Sequence, residues 1–380
     1  MSDRLERALR GLRSLTSTSA PILSVYINLY PERLERRSMP PRLHGILAPM
    51  VALAESGELG HNESKSLRAS IEQVREGAYS LGTLLDPGVA LFVCGELGLD
   101  ERLPLPQRVW DCAVAGPAPY LRPLQATLDE FRKVAAVVLD SRTAEILVLY
   151  MGQTLEHQVL EAEEVRKANL AGWYGLEEYR HRHHGEEVRH HLFREIAERL
   201  YRLRRDLGVE LVLVGGHQDI TQALLPFLDR QTQAMTETFV VDLNTLTLPL
   251  LAKTVSEMEA DYERREEMRE VEEVYALAAA GPMAVVGVDS VLRGAGRHAI
   301  AELLVHDGAS LPGVVCRACG GLFTSGLVCR VCGGETADVP DLFEEVTRAV
   351  IDAGGTVEHV MAETRLADDL LAARLRFAIG

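Results

Sequence analysis

The sequence predicts an α/β protein built from three units, and three patterns carry that expectation. Short β-branched and aromatic runs bounded by Pro or Gly alternate with stretches whose apolar residues recur every three or four positions, the signatures of strands and helices. Three closely spaced apolar runs lie near the middle, and a cluster of four cysteines interrupts the last strand-and-helix series. The 380 residues suffice for two or three domains. Hydrophobic residues make up 47% and charged residues 25%, which supplies a core and excludes a disordered or collagen-like chain.

Each unit is read in order. The opening "MSDRLERALRGLRSL" sets leucines among charges at helical spacing and has no apolar run with a cleavage site, so it does not read as a secretory leader. Nowhere does an apolar run approach the roughly 18 residues of a membrane span, and a cytoplasmic, membrane-free protein is expected. "PILSVYINLY" (21–30) and "GVALFVCGEL" (88–97) read as strands, with a helix over 64–85 between them. They define a first unit, residues 1–130. The run 134–161 reads as an antiparallel meander, 209–228 as a buried strand entering a helix, and 238–243 as another strand. A long charged helix over 250–281, stopping at Gly281, closes a central unit of residues 131–277. Strand, helix and strand over 283–306, and helix turning into strand over 341–361, define a third unit, 278–380. "VLVGGHQDI" (212–220) lacks both the P-loop Lys-Ser/Thr and the three-glycine dinucleotide pattern, so it reads as an ordinary turn and predicts no nucleotide hydrolysis.

Within the third unit, Cys316, Cys319, Cys329 and Cys332 form two C-x2-C hooks nine residues apart. Two residues between cysteines let both thiolates bend toward one ion, and two hooks complete the tetrahedron of structural zinc. The expected zinc insertion spans 314–336. Four thiolates leave no open position, so the metal is expected to hold the fold and not to catalyse. Cys94 and Cys112 stand apart, a distribution that suits a reducing compartment.

The chain carries a formal net charge of −16, which disfavours contact between its general surface and nucleic acid. One stretch departs from this. Between Arg166 and Arg205 stand ten Lys or Arg and six Glu. Val188, Leu192, Ile196, Leu200 and Leu203 make one helical stripe there, leaving Arg189, Arg194, Arg199, Arg202 and Arg205 largely outside it. Just upstream, "AGWYG" sets Trp173 and Tyr174 between Gly172 and Gly175, the composition of a loop that can stack on bases. The histidines His181, His183, His184, His190 and His191 do not fit the zinc-protease pattern, which needs His-Glu and a second His four residues on. Trp173, Tyr174, Arg180, Arg182, His183, His184 and Arg189, with the two flanking glycines, are the candidate RNA contacts.

The three-unit layout, the aromatic loop with its basic helix and the placed cysteines together resemble the archaeal and eukaryotic class-1 release factor and Pelota superfamily, in its bacterial branch of release-factor-like proteins and Balon-type hibernation factors. The resemblance implies a three-domain architecture whose third domain is L7Ae-like with an inserted zinc knuckle. It sets Ala171, Gly172 and Trp173 on the Gly-Gly-Gln positions that release factors carry into the peptidyl-transferase centre, with Arg180 and Arg182 on two of the arginines that follow; Glu177 stands where a third is usual. Tryptophan cannot supply both the amide donor and the acceptor of glutamine. The codon-reading Asn-Ile-Lys-Ser is matched only by Lys65 and Ser66 in "NESKS" (62–66).

The expected function is a ribosome-binding translation factor that occupies the A site and reaches the peptidyl-transferase centre without hydrolysis, as in hibernation or stress protection. One alternative is a peptidyl-tRNA-hydrolysing release or rescue factor, using the Gly172 backbone, Trp173 and His181 as candidate catalytic positions. The other is a scaffold protein without ribosome contact. Ribosome and ribosomal RNA are the expected partners, and the resemblance adds a translational GTPase such as elongation factor Tu.

Overall fold

The computed structural model describes residues 2–29, 39–81, 84, 86–161, 177–243 and 246–379, with side chains omitted at 2, 3, 79 and 177–185. The chain divides into two compact units. Residues 131–262 form a central unit, and residues 3–130 together with 263–380 form a terminal unit of two lobes.

The N-lobe runs α1 (Ser2–Arg13), β1 (Ile22–Asn28), α2 (Met39–Glu55), α3 (His61–Glu76), α4 (Ala78–Leu81), β2 (Gly88–Cys94), β3 (Leu99–Leu105), β4 (Cys112–Gly116) and α5 (Arg122–Asp129). Its sheet is antiparallel in the order β3-β2-β1-β4, so the two strands read from sequence are the two central ones. Leu23, Val25 and Ile27 of β1 and Val89, Leu91 and Val93 of β2 point alternately to one face and pack on Leu43 and Leu47 of α2 and Leu67, Ile71 and Val74 of α3. The helix expected over 64–85 starts earlier, where the Gly60 N–H donates to the Glu63 carboxylate (2.8 Å), and it stops at Gly77. α2 escaped the sequence reading because "MPPRLHGILAPMVALAE" holds three prolines. Two of them sit in the first turn, where a missing N–H costs nothing.

The central unit runs β5 (Val134–Leu139), β6 (Thr143–Tyr150), β7 (Gln153–Glu161), α6 (Glu177–Leu207), β8 (Leu211–Gly216), α7 (Gln218–Leu224), α8 (Arg230–Ala234), β9 (Thr236–Val240) and the start of α9 (Leu248–Ala280). The sheet order is β7-β6-β5-β8-β9. The expected meander is its antiparallel half, and β8 and β9 join in parallel. β5 reads as a continuous apolar run because both its faces are covered. Ala135, Val137 and Leu139 meet α6, while Val134, Ala136 and Val138 meet Leu251 and Val255 of α9. The stripe predicted for α6 is the buried one: Leu192, Ile196 and Leu200 are fully covered, and Leu203 nearly so.

The C-lobe takes up the rest of α9 and continues through β10 (Ala284–Val286), α10 (Val288–Ala295), β11 (Ile300–His306), β12 (Gly313–Cys316), β13 (Leu322–Phe323), β14 (Thr336–Val339), α11 (Leu342–Asp352), β15 (Thr356–Val360), α12 (Leu366–Asp369) and β16 (Leu371–Leu375). Its main sheet, β10-β16-β11-β15, is sandwiched between α10 and α11 on one face and Val271 and Val274 of α9 on the other. α9 ends one residue before Gly281, as its sequence suggested. The cysteine segment leaves between β11 and α11 as a small antiparallel sheet, β13-β12-β14.

Candidate metal centre and nucleic-acid interface

The two C-x2-C hooks fold with near-twofold repetition. The Gly320 N–H donates to Cys316 O (2.9 Å) and the Gly333 N–H to Cys329 O (3.0 Å), while the Cys316 and Cys329 N–H groups donate to Gly321 O and Gly334 O, both at 2.8 Å. Gly320 and Gly333 have φ of 70° and 73°, the left-handed conformation that a side chain resists. A Cβ on Gly334 would lie 3.4–3.5 Å from two of the sulfurs, so the backbone closes tightly on the centre.

The result brings the four ligand atoms within 4.8 Å of one another, with Cys316 and Cys332 Sγ at 3.4 Å and Cys319 and Cys329 Sγ at 3.6 Å. Zinc at about 2.3 Å from each of four sulfurs gives tetrahedral edges of about 3.8 Å, so the cage has the size and donor set of a metal centre. Backbone hydrogen bonds, from Cys319 and Cys332 respectively, lower the Cys316 thiol and bring Cys329 down to about 6, whereas hydrogen bonds among the thiols outweigh the backbone bonds at the other two, raising Cys332 and pushing Cys319 up to about 12. Among the described residues one other group of ligand-type side chains converges, Glu263, Glu267 and Glu358. There Glu267 already accepts the Met361 and Ala362 N–H groups at 2.9 and 2.6 Å.

The aromatic loop is a different case. Gly172, Trp173, Tyr174 and Gly175 lie outside the described residues, and Arg180, His181, Arg182, His183 and His184 fall on the first turns of α6 with side chains outside them. Beyond that point the helix sorts its charges. Arg202 pairs with Glu198, Arg205 with Asp206 (2.7 Å) and Arg204 with Asp229 (3.4 Å). Arg189, Arg194 and Arg199 have no carboxylate within salt-bridge range among the described residues, and the half-buried Arg189 leaves its Nε without a hydrogen bond. The positive charge free for a partner is therefore smaller than the count over 166–205 suggests, and it concentrates at the loop-proximal end. His190 packs against the Phe227 ring in a tilted arrangement, with centroids 5.3 Å apart.

The glycine pair that ends β8 has a packing role, in keeping with a strand that runs into a turn and carries no nucleotide-binding motif. A Cβ on Gly215 would sit 2.3 Å from the Phe239 ring, and one on Gly216 would sit 2.5 Å from Leu139 O. Sequence reasoning missed the most buried charge among the described residues, Arg122, whose partners Asp341 and Glu344 lie more than two hundred residues away. No helix among the described residues is long and apolar enough to cross a membrane.

Among curated proteins no match was found. Solved structures similar to the chain include an archaeal translation termination factor, aRF1, at 16% identity over 99% of this chain and 98% of that one, with a TM-score of 0.27. Ribosome-bound archaeal Pelota, in a model with ABCE1, is 13% identical over 100% and 95% (TM-score 0.42), and S. cerevisiae Dom34 is 13% identical over 80% and 77% (TM-score 0.40). These superpositions are loose. Residues 119–259, which include the aromatic loop and all of α6, match the family model of bacterial archaeo-eukaryotic release factor family 10. Over that segment the chain is similar to the bacterial archaeo-eukaryotic release factors, and the match supports a relation to the release factor and Pelota superfamily.

Proposed function

We propose that this protein is a ribosome-binding translation factor that fills the A site and extends its central unit toward the peptidyl-transferase centre without cutting the ester, in hibernation or stress protection. The observation that carries the reading is the family match over 119–259, taken with the resemblance that sets Trp173 on the glutamine position of hydrolytic factors. Hydrolysis needs a group that orients water and stabilises the developing oxyanion. An indole offers one donor and no acceptor, but its face and that of Tyr174 can stack on ribosomal bases. In this reading Gly172 and Gly175 let the loop enter a narrow site, and Arg180, Arg182, His183, His184 and Arg189 contact ribosomal RNA phosphates.

The same reading assigns zinc to Cys316, Cys319, Cys329 and Cys332 and an L7Ae-like character to the C-lobe, with three domains acting in the cytoplasm. A translational GTPase such as elongation factor Tu would join the factor there. When bound, zinc supplies four bonds that replace an apolar core in the knuckle; the chain's own glycines and backbone N–H groups shape the cage that receives it.

The experiment adds purified protein to ribosomes carrying labelled peptidyl-tRNA. The expected result is stable binding with the ester intact at saturating protein. Peptide release that disappears on Gly172→Pro, Trp173→Ala or His181→Ala would overturn the reading in favour of a release or rescue enzyme, and failure to sediment with ribosomes at any salt would favour a scaffold protein.

A further inference from the structure

A cleft of about 370 Å³ opens in the C-lobe where three elements meet: the end of α10 (Gly296, His298), the first cysteine hook with β13 (Gly320, Leu322) and the end of α11 (Ala349, Asp352). Both helices stop there with the same backbone turn. In α11 the Gly355 N–H donates to Val350 O and the Gly354 N–H to Ile351 O, both at 2.8 Å; in α10 the Ala299 N–H donates to Gly294 O (3.0 Å) and the His298 N–H to Ala295 O (2.9 Å). This closure needs one residue in the left-handed region, and glycine is its usual occupant. α11 uses Gly354, at φ 73°. α10 has His298 in the same place, at φ 54°, so the chain keeps an imidazole at the cleft where a bare glycine would be less strained. Gly296 is the reverse case. Its φ of −62° is helical, and a Cβ on it would meet nothing closer than the backbone of its own helix at 3.5 Å. Neither conformation nor packing calls for that glycine, and its bareness leaves the cleft open.

Charge is sorted between the interior of the cleft and its surroundings. Inside, the Asp352 carboxylate and the C-terminal ends of two helices disfavour an anion and favour hydrogen-bond donors. Around them stand the exposed Arg293, on the last turn of α10, Arg297 just beyond it, and Arg376 after β16. Arg376 also ties the two helix ends together: its N–H donates to Ala299 O (2.7 Å) and its guanidinium to Ala353 O (2.9 Å). A lone cation would be repelled by these arginines, and a lone phosphate by Asp352. A neutral, donor-bearing ring with a phosphate attached suits both.

We propose that this cleft receives an unstacked guanine base of an RNA, with Asp352 accepting from the N1–H and N2–H groups and His298 stacking on the ring. Among the common bases guanine alone presents two adjacent donors on its pairing edge, and a carboxylate offers two acceptors and no donor. The small residues Gly296, Gly320 and Ala349 leave room for a flat ring, and Leu322 gives it an apolar wall. Ribose and phosphate stay outside, beside the arginines. The site adds a contact in the C-lobe to the ribosome-binding reading, and it rests on that reading only for which RNA supplies the base.

The test measures, by fluorescence anisotropy at moderate salt, the affinity of the full chain for a hairpin RNA whose loop holds one guanosine among uridines. Exchange of that guanosine for inosine, which lacks the N2 amino group, is expected to weaken binding about tenfold, and exchange for adenosine at least as much. Asp352→Asn should remove most of this preference, and Gly296→Leu should abolish it by filling the cleft. His298→Gly should weaken the guanosine hairpin about tenfold while the melting temperature holds or rises by up to about 4 °C, an outcome that a purely structural imidazole would not give. Arg189→Glu with Arg194→Glu and Arg199→Glu should leave the preference in place, which separates this cleft from the helix of the central unit. Equal affinity for the three hairpins, binding of none of them, or a preference that survives Asp352→Asn would overturn the proposal. So would Asp352-dependent capture of an oligolysine peptide in place of RNA, which would assign the cleft to a cationic protein segment. Failure of the ribosome reading alone would show as intact discrimination among hairpins with no sedimentation on ribosomes.

Discussion

At the scale of single residues, space and burial decide which positions matter. Gly215 is fixed by the Phe239 ring that lies against it, and Gly216 by the approach of Leu139 O. Gly215→Ala is expected to destabilise the central unit by about 1–3 kcal/mol through overpacking, read as a lower urea midpoint with an unchanged slope. Gly215→Ala paired with Phe239→Leu should recover part of that loss. The cysteines were legible as single residues because C-x2-C is a local geometry. Arg122 was not, because nothing near it in the chain marks it: its carboxylate partners come from a segment 219 and 222 residues on, and only the folded sheet order brings them together.

At the scale of elements, periodicity was the reliable guide. The α6 stripe, the meander, the long α9 and the strand and helix alternation of the C-lobe all carry repeats that burial on one or both faces imposes. α2 was hidden by its prolines, and β3 was missed because "LDERLPL", an edge strand with polar groups facing water, shows little apolar character. The loop-proximal part of α6 yields a prediction. Arg189→Glu with Arg194→Glu and Arg199→Glu should weaken cosedimentation with ribosomes at least tenfold at moderate salt and flatten its salt dependence, whereas reversing the internally paired Arg202 and Arg205 should do much less. The knuckle yields another. The purified chain is expected to hold one zinc by elemental analysis, and Cys316→Ser or Cys329→Ser should lower the melting temperature and abolish that zinc while leaving the central unit's transition in place.

At the scale of the whole molecule, the terminal unit is made from both ends of the chain, with the central unit inserted as one continuous stretch. Glu130 and Arg264, at the two crossings, are in contact. Replacing 131–262 by a short Gly-Ser linker is therefore expected to leave a folded terminal unit with one cooperative melt and a retained Trp110 environment, measurable by calorimetry and tryptophan emission. The division also has a consequence for synthesis. Arg122 emerges from the translating machinery 219 residues ahead of Asp341, an interval of roughly 10–45 s at about 5–20 residues per second. For that time the nascent N-lobe lacks the acidic cover that Asp341 and Glu344 give Arg122, and the cation stays beside Trp110 with water as its partner until the last quarter of the chain is made.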